Sequence, residues 1–243
     1  MKLYGLLGRN IDYSFSKAYF SEKFQKENID AEYRNFDIPE IRDFPDIIQQ
    51  SKDLNGMNVT IPYKQEVISY LDVLDENAEK IGAVNTIKIE KDGILKGFNT
   101  DFYGFSESLK PLLKNGHSHA LILGTGGASK AVAFALKKSG IIYKYVSRSP
   151  EKNQLGYSDL SEEIFEKFKI VVNTTPVGTF PNIENSPDLP YHLFTENHLA
   201  YDLIYNPSTT KFLELAAKNG ANTMNGLKML QLQAEKAWQI WNS

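Results

Sequence analysis

The stretch Leu121-Ile-Leu-Gly-Thr-Gly-Gly-Ala-Ser129 constrains the fold most, because an apolar run of strand character meets a cluster of glycines and then opens a helical pattern, Lys130-Ala-Val-Ala-Phe-Ala-Leu136. Glycines at 124 and 126 permit a tight turn and close approach of backbone to a ligand. A pyrophosphate placed there would face the amide-rich N-terminus of the helix. Ser129 stands at the third position of the fingerprint, where glycine or alanine is the pattern. Many strand-to-helix turns carry glycines and bind nothing, so the turn alone leaves both readings open.

The next apolar run, Ile141-Ile-Tyr-Lys-Tyr-Val146, reads as the second strand of the same unit and ends in Ser147-Arg-Ser-Pro-Glu-Lys152. A site for NAD usually places a carboxylate at this point to hold the ribose hydroxyls. Arg148 and Lys152 stand there instead, and a planar guanidinium suits a 2′-phosphate, so the pattern favours NADP. The competing reading is a solvated basic turn.

Composition excludes several classes. The chain has 243 residues, 42% apolar and 23% charged, enough for one large or two modest globular domains. A formal net charge of −3 gives no broad attraction to nucleic acid or to anionic membranes. With no cysteine there is no disulfide, thiol nucleophile or thiolate metal site. The N-terminus turns polar too early for a signal peptide and no run reaches membrane-spanning length, so a cytoplasmic location is expected. Histidines at 117, 119, 192 and 198 lack metal-helix spacing, no metal is expected, and His117 and His119 read as surface residues.

Two styles of organisation follow one another. The first hundred residues alternate short strands (Lys2–Leu7, Ala31–Phe36, Gly56–Ile61) with helices near Lys17–Glu27 and Ile41–Gln50, as an open α/β sheet would. After Phe102 the series is a cleaner β-α-β one, with strands at Ala120–Leu123, Tyr143–Val146, Ile170–Asn173 and Leu199–Leu203 and a helix at Thr210–Asn219. A last helix from Gly226 to Trp241 places Leu227, Leu230, Ala234, Trp238 and Trp241 on one apolar face, which a return to the first domain would bury. The expected domains are 1–102, completed by 227–243, and 103–226.

Polar clusters mark the first domain. Ser14 and Ser16 would project to one side of an extended chain, suited to a carboxylate or polyol, or Ser16 simply caps the following helix. In Asn58-Val-Thr-Ile-Pro-Tyr-Lys64, Asn58 and Thr60 share a strand face, and Pro62 suits a first helical position. That puts Lys64 in a helix's first turn, where the positive end favours the neutral amine: an acid/base candidate, or an exposed lysine. Ala83–Glu90 and Ile94–Asp101 flank Lys91-Asp-Gly93, a hairpin signal. Pairing centred on Asp92 sets Asn85 opposite Asn99 and brings both Asn-Thr pairs to the open end, with Asp101 just beyond. These residues either form a site or shape strand ends.

Taken together, Ser14-x-Ser16, Asn58-Val-Thr-x-Pro-x-Lys64, Gly82-Ala-Val-Asn-Thr86, Gly97-x-Asn-Thr-Asp101, Gly124-x-Gly-Gly-Ala128, Ser147-Arg-Ser149, Asn173-Thr-Thr-Pro-x-Gly178, Asp202-x-x-Tyr-x-Pro207 and Gln233-Ala234 resemble the shikimate dehydrogenase family over nearly the whole chain. The resemblance implies an α/β protein with a mixed-sheet substrate domain, a Rossmann-like NADP domain and a C-terminal helix returning to the first. It implies reversible, NADPH-dependent reduction of 3-dehydroshikimate to shikimate, a step of aromatic biosynthesis, by a monomer or homodimer. Lys64 and Asp101 would be the catalytic pair. Ser14 and Ser16 would hold the substrate carboxylate, with Asn58, Thr60, Asn85, Tyr205 and Gln233 completing the pocket. Gly124, Gly126, Gly127 and Ala128 would cradle the pyrophosphate, and Ser147, Arg148 and Lys152 would lie at the 2′-phosphate. Thr174, Met224 and Gly226 would complete the cofactor set, the last two near the nicotinamide.

This chain departs from the family pattern at Asn10, Tyr13, Lys17 and Phe20, where Pro, His, Pro and His are usual, and at Ser147, where Asn is usual. The departures bear on substrate choice. A quinate/shikimate dehydrogenase using either nicotinamide cofactor is the near alternative, and a sensor that binds without turnover is the distant one.

Overall fold

Strand β1 (Lys2–Gly8) is buried from Leu3 onward on both faces, the signature of a strand inside a parallel arrangement. The computed structural model describes residues 1–12 and 14–243; Tyr13 lies outside the described residues. After β1 come helix α1 (Phe15–Lys26), strand β2 (Ala31–Asp37), helix α2 (Phe44–Gln50) and strands β3 (Leu54–Val59) and β4 (Val73–Leu74). Helix α3 (Glu76–Ile81) and strands β5 (Thr86–Ile89) and β6 (Leu95–Phe98) follow. They form a mixed sheet of order β2-β1-β3-β5-β6-β4, in which β5 runs antiparallel to β3 and β6.

The second sheet is built from β7 (His119–Leu123), β8 (Ile142–Ser147), β9 (Leu155–Gly156), β10 (Ile170–Asn173), β11 (Leu199–Asp202) and β12 (Asn222–Met224). Helices α4 (Asp101–Leu109), α5 (Gly127–Lys138), α6 (Glu162–Lys167), α7 (Lys211–Lys218) and α8 (Leu227–Trp241) accompany it. Its pairs are all parallel, in the order β12-β11-β10-β7-β8-β9. Counted along the chain this is the 3-2-1-4-5-6 Rossmann order, which reverses between β7 and β10 and so opens a crevice at their carboxyl ends. By backbone contacts the chain divides into two units, Met1–Thr100 with Ala234–Ser243, and Asp101–Gln233. Each has its own core: Leu7, Met57, Val59 and Ile87 in the first, and Ala120, Ile122, Leu136 and Val172 in the second. No helix of the described residues is long and apolar enough to cross a membrane.

Several local expectations change. Ser14, not Ser16, caps α1: its Oγ accepts from the Lys17 N–H at 3.2 Å, so the helix begins at Phe15 and Ser16 lies in its first turn instead of an extended chain. Pro45 splits the expected Ile41–Gln50 helix into a 3-10 turn (Ile41–Asp43) and α2. Residues 61–65 form turns, and the next helical element is the 3-10 segment Glu66–Tyr70. Pro62 therefore opens no helix, and Lys64 does not lie in a helix's first turn. His117 is buried, its Nδ1 accepting from the Lys114 N–H at 3.1 Å and its Nε2 lying 3.1 Å from the Asn197 carbonyl. In α8, Leu227 is exposed and Met229 is buried in the cluster with Phe105, Val132 and Leu199, so the first turn buries a different position from the expected one. Farther along, Ala234 and Trp241 pack with Tyr4, Phe20 and Tyr33.

Candidate functional site

In the first unit the hairpin register is centred on Asp92, pairing Thr86 with Phe98 and Ile89 with Leu95. The Asn85 N–H donates to the Phe98 carbonyl at 3.0 Å just beyond the ladder, so the two Asn-Thr pairs meet at its open end. There Asn85 Oδ1 accepts from the Thr100 N–H at 2.6 Å, and its Nδ2 donates to Thr100 Oγ1 at 3.1 Å. Asn58 joins from β3, with Nδ2 donating to Thr86 Oγ1 and to the Asn85 carbonyl, each at 3.3 Å. Asn99 instead secures the turn, donating to the Ala83 carbonyl at 2.9 Å. Thr60 follows directly on β3, half-buried, and Lys64 is half-buried in the turn beyond, its carbonyl accepting from the Val84 N–H at 2.7 Å.

The buried network reaches further through Tyr33, which sequence reading missed. Its hydroxyl donates to Asn58 Oδ1 at 2.8 Å and is also hydrogen-bonded by the Ser16 side chain, so Ser16, Asn58, Thr86 and Asn85 belong to one connected set. Phe20 stacks on the Tyr33 ring at 4.8 Å, and burial holds its phenol far above the ordinary range. Only the alternation in Ala31–Phe36 hinted that Tyr33 points inward. Such interlinked buried hydrogen bonds contribute about 1 kcal/mol each and, more usefully, fix rotamers.

The second unit carries a cleft of about 930 Å³ at the carboxyl ends of β7, β8 and β10, lined among others by Gly124, Gly126, Ser147, Arg148, Thr174 and Tyr157. Gly124 has φ +95°, and a side chain there would press on Thr175 Cγ2 at 2.9 Å and Thr174 Oγ1 at 3.2 Å. Gly126 caps α5 with φ −77°, and a Cβ on it would meet nothing within 4 Å. The first glycine serves the turn; the second leaves space above the start of a 12-residue helix. Thr174 crosses the switch point, its Oγ1 donating to the Leu123 carbonyl at 2.6 Å. Ser129 Oγ donates to the Gly126 carbonyl at 2.7 Å and is buried, filling the third fingerprint position.

Arg148 is exposed on this cleft, and Ser147 Oγ shapes the turn by accepting from the Ser149 N–H at 3.2 Å. The Asp159 carboxylate, also on the cleft, is engaged by the Gly156 N–H at 2.7 Å. Open backbone at a helix start, and a guanidinium directly after a second strand that ends in Ser147 and not in a carboxylate, fit a dinucleotide bearing a 2′-phosphate.

A family model described as the shikimate dehydrogenase substrate binding domain matches residues 6–87. The shikimate dehydrogenase (NADP+) of Caldanaerobacter subterraneus subsp. tengcongensis is 40% identical over 258 residues, covering 99% of this chain and 91% of that protein. The chain belongs to the shikimate dehydrogenase family. Among solved structures, shikimate 5-dehydrogenase from Thermus thermophilus, in complex with NADP(H) and shikimate, is 33% identical. It superposes with a TM-score of 0.87, covering 99% of this chain and 93% of that one. Quinate dehydrogenase from Corynebacterium glutamicum in complex with NAD is 27% identical, also with a TM-score of 0.87, over 99% and 93% of the two chains.

The residues expected from the shikimate dehydrogenase pattern thus fall into local groups. Ser14 stands apart from the Ser16–Asn58–Asn85 network, engaged as the α1 cap. Asp101 is buried at the first position of α4, immediately after the Thr100 held by Asn85. In the second unit Gly127 and Ala128 begin α5, whereas Lys152 is exposed and does not line the cleft. Met224 ends β12, and Gly226 packs so close to the Leu203 backbone that no side chain fits, its N–H donating to the Ile204 carbonyl at 3.0 Å. Tyr205 is half-buried, which pushes its phenol up, and Gln233 is half-buried against Gly104, where a Cβ would meet the Gln233 backbone nitrogen at 3.1 Å.

Proposed function

We propose that the protein catalyses the reversible, NADPH-dependent reduction of 3-dehydroshikimate to shikimate, as a cytoplasmic monomer or homodimer. The observation that carries this reading is near-full-length likeness to shikimate dehydrogenases (NADP+), at 40% identity, in a chain that keeps Lys64 and Asp101 at the motif positions. In the proposal the first unit carries most of the substrate-binding residues and the second carries the cofactor-binding ones. Ser14 and Ser16 take the carboxylate, Asn58, Thr60, Asn85, Tyr205 and Gln233 complete the substrate pocket, and the network through Tyr33 keeps several of these in place.

When bound, NADP(H) supplies or accepts the hydride at carbon 3. Lys64 and Asp101 handle the proton. In the oxidative direction Lys64 in its neutral form takes the proton from the 3-hydroxyl while Asp101 orients the amine and shares the hydroxyl's hydrogen bonds; reduction returns that proton to the oxygen. Gly124, Gly126, Gly127 and Ala128 would bind the pyrophosphate, Ser147 and Arg148 the 2′-phosphate with Lys152 nearby, and Met224 and Gly226 would lie near the nicotinamide, with Thr174 completing the cofactor set.

The likeness to a quinate dehydrogenase in complex with NAD favours a second reading, in which quinate and NAD are also used. The deciding experiment follows reduced-cofactor absorbance after mixing the protein with shikimate or quinate and NADP+ or NAD+ in all four combinations. Fast turnover with shikimate and NADP+ only supports the biosynthetic enzyme, comparable rates with quinate or NAD+ support the broader one, and binding without turnover refutes both in favour of a sensor.

A further inference from the structure

Two sequence motifs, Asn173-Thr-Thr-Pro-x-Gly178 and Asp202-x-x-Tyr-x-Pro207, meet around one buried charge. Asp202 ends β11 fully buried, and no ion pair of the described residues involves it. Its partners are neutral donors. Asn173 Nδ2 reaches Oδ1 at 3.1 Å, the Ile204 N–H reaches the same oxygen at 3.0 Å, and Thr210 Oγ1 reaches Oδ2 at 2.6 Å. Desolvation pushes the carboxyl up to about 6 despite these three donors, so the carboxylate is held at a cost in stability.

Asn173 converts this anchor into loop geometry. Its Oδ1 accepts from the Thr175 N–H at 3.1 Å and the Thr175 hydroxyl at 2.7 Å, while Nδ2, beside Asp202, also approaches the Val177 carbonyl at 3.4 Å. A carboxylate can only accept, so Asp202 obliges the Asn173 amide to present Nδ2 to it and Oδ1 to Thr175. Thr174, Thr175, Pro176 and Val177 line the cleft. Asp202 Oδ1 also accepts from the N–H of Ile204, whose carbonyl receives the Gly226 N–H and whose neighbour is Tyr205.

We propose that Asp202 is a positioning residue for the cofactor: through Asn173 its carboxylate holds the Thr174–Val177 loop in the shape that binds NADPH. This rests on the NADP reading above. The test measures NADPH dissociation constants by calorimetric titration of the full chain, together with melting temperatures. Asp202→Ala and Asn173→Ala are expected to weaken NADPH by about tenfold or more. Asp202→Asn keeps an acceptor toward Asn173 and is expected to stay within about threefold of wild type. Thr210→Val removes the bond on the opposite carboxylate oxygen, at the α7 cap, and lowers the melting temperature while leaving NADPH affinity within about twofold.

Unchanged affinity in Asn173→Ala, or a Thr210→Val variant as weak as Asp202→Ala, overturns the proposal; if Asp202→Ala does not fold, Asn173→Ala decides. Should the wild type bind no NADPH, the cofactor reading itself has failed. Amide exchange at Thr175 and Val177 then judges the anchor alone: faster exchange in Asn173→Ala supports it, and unchanged exchange refutes it.

Discussion

Gly126→Ala separates what the fold requires from what a ligand requires. At φ −77° and ψ −174° alanine is sterically at home, and its methyl would meet no protein atom within 4 Å. Two small terms oppose each other. Restricting the unfolded chain contributes about 0.4–1 kcal/mol of stability, and alanine is a poorer helix cap than glycine by a similar amount, so the net change stays within about 0.5 kcal/mol. In the complex the methyl would occupy the space above the α5 start where a pyrophosphate needs the backbone. Overpacking at a well-fitted site costs about 1–3 kcal/mol, or roughly 5- to 150-fold in the NADPH dissociation constant. Urea unfolding and fluorescence titration with NADPH read the two quantities on one preparation. An affinity unchanged within about twofold would show that no phosphate lies against residue 126, and a stability loss beyond about 1.5 kcal/mol would show that the space is not open. Gly124→Ala is the contrast: at φ +95° with Thr174 and Thr175 in the way, it should lose about 1–3 kcal/mol of stability even without ligand.

Lys64→Ala should lower kcat by about 10²–10⁴ while shikimate binding, measured separately, weakens far less; an unaltered kcat would remove the lysine from proton transfer. Arg148→Ala should raise KM for NADP+ by at least about tenfold and leave KM for NAD+ within about twofold, with equal effects placing the guanidinium away from the 2′-phosphate. For Asp202 the folded carboxyl is raised from 3.8 to about 6, so the native state binds the extra proton between those values. The stabilisation is therefore complete below 3.8 and is lost as pH rises through about 6. Relative to Asp202→Asn, the wild type should gain about 2 kcal/mol on going from about pH 7.5 to about pH 4.5, approaching about 3 kcal/mol at lower pH. A difference between the two proteins that does not move with pH would contradict the raised value.

Short-range chemistry was legible from the chain itself. The Asp-Gly turn set the β5–β6 register centred on Asp92, and the apolar run before Gly124 placed β7 and the turn that leads into α5. In both cases a few neighbouring residues select the backbone path. Helix α3 carried equally local marks that reading passed over, an Asp75 cap and a left-handed Gly82 at its end. The start of α1 was misplaced by two residues because Ser14 and Ser16 are both competent caps, and it is Ser14 that accepts from the Lys17 N–H.

What tertiary structure alone decided is which polar groups leave water together. Tyr33 and Asn58 are 25 residues apart, and Asn173 and Asp202 are 29 apart, yet each pair shares a buried hydrogen bond. The motifs named Asn58, Asn173 and Asp202 without saying what holds them, and Tyr33 was not named at all. Sequence spacing determines backbone conformation through local sterics, whereas burial of a phenol or a carboxylate depends on which strands become neighbours in a sheet, and that is settled only when the whole core closes.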